Sequence, residues 1–193
     1  MPFVRTSLSN DAHRHIYIAL GANEVYGGKT PFENLRSALI ELESAEIEIC
    51  GVSRPWRTPA WPDPTDPEFI NGAVEVRTAL TPHALMSRLH DIEAMFGRQR
   101  TARNAPRSLD LDLIDFQGLK LAPTGAGDAL GLALPHPRAT SRAFVLLPLR
   151  DIAPHWVDPV SALSIDQCIA RLPDADRAAC RPEQSDFALH TKP

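Results

Sequence analysis

The chain has 193 residues, 44% of them hydrophobic, and a formal net charge of −4. That length suits a single domain with a real core, and the acidic balance argues against a general nucleic-acid footprint. Three cysteines (Cys50, Cys168 and Cys180) are odd in number and lack metal-ligand spacing, and no apolar run is long enough for a bilayer, so the expectation is a cytoplasmic protein with reduced thiols and no membrane partner. Residues 1–14 are too polar for a signal peptide and read as a flexible tail, and His13 and His15 read as flexible-tail histidines rather than a metal pair.

In chain order, the apolar run Ile16 to Leu20 predicts a buried strand ending at Gly21. The Gly-Lys-Thr at Gly28 to Thr30 resembles the end of a phosphate-binding loop, but the motif needs glycine where Asn23 stands, and Pro31 follows at once; a glycine-rich turn is the better reading. Phe32, Leu35, Ala38, Leu39 and Leu42 then share one face of an amphipathic helix. Ile47 to Arg57 reads as a second strand, irregular near Gly51. The proline-dense stretch Thr58 to Pro67 is a stiff loop, in which Trp61 is either a packing lid or a stacking surface. Phe69 to Thr78 is the third strand. Thr81 and Pro82 open a second helix, as cap and first helical residue, with a buried stripe of Leu85, Leu89, Ile92 and Phe96. Glu93, near its end, reads by itself as an exposed carboxylate.

The stretch Arg98 to Phe116 carries the chemistry. Arg98, Arg100, Arg103 and Arg107 precede an alternating run that predicts the fourth strand, with Ser108, Asp110 and Asp112 on one face and Leu109, Leu111 and Leu113 on the other. The aspartates' Cα atoms are roughly 6.5–7 Å apart at strand rise. Carboxylates that close repel unless a cation neutralises them, and Mg²⁺ is commonly held by one or two carboxylates plus substrate phosphates. Arginine offers bidentate donors to phosphate. Separately, each feature usually lies on a solvated surface; joined by Pro106, they read as a metal-nucleotide site.

Beyond the dyad, residues 118–131 form a glycine- and alanine-rich excursion. Ser141 is a candidate cap for a short helix ending near Pro148, with Phe144 and Leu147 on its core face, and Ser164 to Leu172 suggests a last helix. From Glu183 the chain reads as a second flexible tail, leaving residues 15–182 as one domain. The order strand, helix, strand, strand, helix, strand predicts an α+β ferredoxin-like βαββαβ sandwich: an antiparallel sheet, helices on one face, and a C-terminal extension.

The segments Tyr17 to Asn23, Arg57-Thr58-Pro59, Phe69-Ile70-Asn71, Pro106 to Asp112, Leu134-Pro135-His136, Arg142-Ala143-Phe144 and Pro148-Leu149 together resemble the 6-hydroxymethyl-7,8-dihydropterin pyrophosphokinase family of folate biosynthesis. The resemblance runs from about residue 15 to 160. It implies a transferase in which the pterin hydroxymethyl oxygen attacks the β-phosphorus of ATP and AMP leaves. It further implies two Mg²⁺ ions on Asp110 and Asp112, and Arg98 and Arg107 as catalytic residues beside them. Glu93, Arg100, Arg103, Leu113 (through its backbone), His136 and Arg142 would join Arg107 at ATP. Thr58, Pro59, Trp61, Phe69, Asn71 and Phe144 would bind the pterin: a flat ring needs stacking faces from the aromatics and an amide on its edge. The expected partners are these small molecules only, with the chain acting as a monomer.

Several positions depart from the family pattern. The loop before Pro106 lacks the tryptophan many members carry, Pro137 replaces an aromatic, and Gly131 and Ala133 replace basic and hydroxyl residues. The turn from Glu24 to Pro31 is longer than usual. The arginine loop between Gly97 and Pro106 is expected to close over ATP. Two other classes fit the same residues: a different Mg²⁺-dependent nucleotide phosphohydrolase, and a non-catalytic ligand-binding module on this fold.

Overall fold

The computed structural model describes residues 15–44, 46–60, 65–98, 107–123 and 131–187. The N-terminal tail, Trp61, Arg100, Arg103 and the proposed lid beyond Arg98 lie outside the described residues, as do residues 188–193.

Strand β1 (Ile16–Ala22) is the apolar run, and helix α1 (Pro31–Leu42) follows the glycine turn. Thr30 starts α1 because its hydroxyl accepts from the Glu33 amide while the Glu33 carboxylate accepts from the Thr30 amide, and Pro31 needs no donor at the first position. Lys29 donates to the Ser37 hydroxyl at 2.9 Å, so the glycine turn serves the helix start rather than a phosphate. The long second strand is divided into β2 (Ile47–Val52), with a bulge between Ile49 and Gly51, and β3 (Trp56–Thr58). Both pair antiparallel with β4 (Phe69–Thr78), one along each half. Helix α2 (Pro82–Met95) begins at the Thr81 cap and delivers the chain to β5 (Asp110–Phe116).

The sheet order is β5-β1-β4-β3, with β2 beside the other half of β4. Strand alternation divides the side chains. Ile16, Ile18, Leu20, Ile70, Val74 and Val76 face α1 and α2, meeting Leu35, Leu39, Leu85, Leu89 and Ile92, all fully buried. Each such aliphatic side chain contributes about 1.5–3 kcal/mol. This is the expected antiparallel sheet with its pair of helices on one face.

The C-terminal extension covers the opposite face. Helix α3 (Ala143–Ile152) and helix α4 (Ile165–Ala170) pack on Tyr17, Trp56, Ala73 and Ile114. Two indole N–H groups anchor this layer: Trp156 donates to Asp115 at 2.8 Å and Trp56 to Asp151 at 2.9 Å. Burial pushes the Tyr17 hydroxyl above its ordinary value, with Glu75 and Asp115 adding to the effect. Helix α3 starts later and runs further than Ser141 to Pro148. Ser141 ends a 3₁₀ turn (Ala139–Ser141), and Pro148 lies inside the helix. That shift turns Phe144 out of the core to 37% exposure, while Leu147 stays buried.

The chain then forms α5 (Asp174–Ala179) and a two-residue strand, β6 (Arg181–Pro182), on the free edge of β3. The start of the expected C-terminal tail is ordered against the domain: Glu183 pairs with Arg57, and Phe187 is 1% exposed. A phenylalanine too large to leave in water carries this end into the core. Among the described residues no helix is long and apolar enough to cross a membrane.

Candidate active site

The second layer stops at the N-terminus of α3. Beyond it, the end of β1 and the starts of β4 and β5 face a cavity of about 410 Å³. The floor is Ala19 and Gly21 of β1, one wall is Thr58, Pro59, Phe69 and Asn71, and the other is Arg107, Asp110 and Asp112. Arg142, Phe144 and Val145 cover it from α3.

The dyad is built as its alternation requires. Asp110 lies opposite Gly21 and Asp112 opposite Ala19 on β1, two small residues that leave space above the carboxylates, while Leu109, Leu111 and Leu113 are buried beneath. Ser108 is buried and donates to the Phe96 carbonyl at 2.6 Å, fixing the approach to the strand.

Charges are stacked around the two acids. Asp110 is paired with Arg107, and its Oδ1 lies 2.8 Å from Arg98 Nη1. Among the described residues the ion-pair partners of Asp112 are distant: Arg142 at 3.8 Å and His136 at 3.9 Å. Burial and the neighbouring Asp110 push the Asp112 carboxyl above its usual range, although His136, Arg142 and Arg98 pull the other way. Burial pushes His136 down, outweighing the pull of Asp112. Its Nδ1 accepts from the Arg138 amide at 3.2 Å, so Nε2 carries the proton and turns it toward Asp112. The Arg142 guanidinium lies 5.3 Å from the centre of the Phe144 ring.

Two neighbouring carboxylates, one with its pKa raised by burial and by the other, are the donor set a hard cation fits. Among the described residues no group of three or more His, Cys, Asp or Glu side chains could enclose a metal. Asp110 and Asp112 alone would therefore hold an ion completed by water and phosphate oxygens.

The uncompensated charge has a measurable consequence. The raised pKa means that the folded protein binds more protons than the unfolded chain above the ordinary value of 3.8, so stability falls as pH rises through that window and stays lowered above it. Asp112→Asn therefore raises the melting temperature of the ligand-free protein at pH 7, by a few degrees or roughly 1 kcal/mol, and the gain shrinks toward pH 4. Thermal melts at the two pH values check this; a loss of stability at pH 7 contradicts it.

Glu93 is not the exposed helix carboxylate that its position suggests. It is 2% exposed, accepts from the Leu111 amide at 2.7 Å and pairs with Arg98. It caps the outer edge of β5 behind the dyad and does not line the cavity. Leu113 also turns its side chain into the core, leaving only its backbone near the site.

On the opposite wall, Asn71 is buried and donates from Nδ2 to Thr58 Oγ1 at 2.8 Å. A β-carbon on Gly21 would lie 3.0 Å from Asn71 Oδ1, so glycine there gives the amide its place. Phe69 and Phe144 enter from β4 and α3. Arg138 and Ser141 also line the cavity. Sequence reading passed over both as site residues; the only available signal was Arg138's position two residues after His136.

The family model for 7,8-dihydro-6-hydroxymethylpterin-pyrophosphokinase (HPPK) matches residues 17–154. A Synechocystis 2-amino-4-hydroxy-6-hydroxymethyldihydropteridine pyrophosphokinase is 41% identical over 141 residues, covering 72% of this chain and 69% of that one. The Methylorubrum extorquens protein of the same name is 35% identical over 157 residues, 81% and 92% of the two chains. The fold is similar to that of a solved Plasmodium falciparum HPPK-DHPS, with a TM-score of 0.58 at 15% identity; the match covers 81% of this chain but only 43% of that longer one. The chain belongs to the 7,8-dihydro-6-hydroxymethylpterin-pyrophosphokinase family.

Proposed function

We propose that this cavity brings ATP and 6-hydroxymethyl-7,8-dihydropterin together, and that the chain moves a diphosphoryl group from one to the other in folate biosynthesis. The enzyme is a transferase with ATP as co-substrate. The observation that carries the reading is the division of one cavity into two chemistries. One wall has paired carboxylates flanked by arginines, and the other has an amide oriented by Thr58 beside Phe69, with Phe144 covering the cavity from α3.

The pterin ring lies against Phe69 and Phe144, and Asn71 reads its edge. Thr58 holds that amide in one orientation, and Pro59 continues the wall; Trp61 is a further candidate for binding the pterin. The hydroxymethyl oxygen then points toward the dyad. Asp110 and Asp112 would hold two Mg²⁺ ions, which would supply neutralisation of the phosphate charge. The new bond joins the pterin oxygen to the β-phosphorus, the α–β bridging bond breaks, and AMP departs while the hydroxyl proton is lost. Arg98 and Arg107, now paired with Asp110, face the phosphates and stabilise the migrating charge. Arg142 and His136 hold the nucleotide beside Asp112, aided by Arg100, Arg103 and the Leu113 backbone, while Glu93 holds Arg98. Phosphoryl transfer of this kind depends on position and charge more than on a strong base. In this reading the chain works as a cytoplasmic monomer on these two small molecules.

Steady-state kinetics of Asn71→Ala test the division of the cavity. The pterin KM rises about tenfold or more, because a buried polar match is lost, while the ATP KM stays within about twofold. Equal weakening of both substrates contradicts it.

A further inference from the structure

The family match ends at residue 154, yet the last described segment of the chain returns to the substrate wall. Strand β3 has three residues and hydrogen-bonds to β4 along one side only. So short an edge strand is poorly held by itself. Strand β6 closes its other side, pairing Pro182 with Trp56 and Arg181 with Arg57, and the Glu183 amide donates to the Pro55 carbonyl at 2.8 Å.

The side chains tie the same strands. The Glu183 carboxylate accepts from Arg57 Nε at 2.8 Å and Nη2 at 2.6 Å. Arg181 donates to Glu68 at 2.6 Å, just before β4, and Arg57 lies 3.6 Å from the other oxygen of Glu68. Partly exposed pairs like these are individually weak, but they converge on the two strands that carry Thr58 and Asn71.

Phe187 then passes beneath the wall. Its ring stacks on Phe32 of α1, centroids 5.4 Å apart and planes 9° from parallel. It also fills the space where a β-carbon on Gly72 would stand, 2.8 Å from Phe187 Cε2. Gly72 follows Asn71 directly, and neighbouring strand residues face opposite sides of the sheet. The ring therefore bears on the back of the strand whose front presents Asn71. The Asn71–Thr58 hydrogen bond spans β3 and β4 and depends on their relative position.

We propose that residues 181–187 form a strap that sets the pterin wall, with Glu183 and Phe187 as positioning residues for Thr58 and Asn71. The inference rests on Asn71 reading the pterin, so Asn71→Ala is the control. Glu183→Gln and Phe187→Ala in the full chain, assayed well below their melting temperatures, each raise the pterin KM about fivefold, with the ATP KM and kcat within about twofold. Phe187→Leu, which refills much of the space, recovers most of that loss. If Phe187→Ala does not fold, Glu183→Gln alone carries the test. A pterin KM that moves in Asn71→Ala but not in the strap variants overturns the strap. Equal weakening of ATP and pterin in the strap variants also overturns it, reducing the segment to general support of the fold. A pterin KM unmoved in Asn71→Ala overturns the assignment of Asn71, and the strap's role with it.

Discussion

Asp110→Ala and Asp112→Ala each reduce turnover by about 10³-fold or more, the scale of losing charge stabilisation in phosphoryl transfer, without loosening the fold. The two expectations come from the same observation. The carboxylates stand on a strand whose buried face is intact without them, and they repel one another. Removing either leaves Leu109, Leu111 and Leu113 in place and relieves that repulsion, so both variants stay folded and Asp112→Ala melts no earlier than the parent. Asp112, with its partners at 3.8 and 3.9 Å, is the cleaner of the two. A near-normal rate in either variant removes the dyad from the mechanism.

Arg98→Ala has a different signature because Arg98 serves two carboxylates at once. It pairs with Glu93, which is 2% exposed, and reaches Asp110 at 2.8 Å. Its loss leaves the buried Glu93 carboxylate without its cation and held by the Leu111 amide, at a cost of about 3 kcal/mol, or roughly 6–12 °C in melting temperature for a chain of this size. The rate falls about 10²–10³-fold, since a donor to the migrating charge is gone. Neutralising Glu93 separates the effects. The double variant Glu93→Gln with Arg98→Ala recovers most of the stability and none of the rate. Recovery of both, or of neither, would show that Arg98 acts only structurally or that Glu93 is not its partner in the folded protein.

The elements that proved legible were those whose signal is local. Thr81-Pro82 states a helix start by itself, and the stretch read as the third strand, Phe69 to Thr78, has the bounds observed for β4. The dyad was legible because Asp110 and Asp112 alternate with leucines. What failed depended on distant partners. Glu93 looked like an exposed helix acid because nothing nearby reveals that Leu111 and Arg98 fold back over it. Phe144 was expected on the core face of α3; it lines the cavity instead, because α3 begins after Arg142 and runs through Pro148. The strap was read as a tail because the residues that make Phe187 a core residue, Gly72 and Phe32, lie on β4 and α1 at the other end of the chain.

The central claim is that the two walls of the cavity serve one reaction, and the nucleotide product reports on it most directly. The protein is incubated with ATP and Mg²⁺, with and without 6-hydroxymethyl-7,8-dihydropterin, and the nucleotides are separated. AMP formed only when the pterin is present, in step with pterin diphosphate, is the predicted result. ADP as product, or hydrolysis indifferent to the pterin, would mean that the carboxylates and arginines serve a different phosphoryl chemistry. ATP bound but never consumed would make the cavity a binding site and contradict the account.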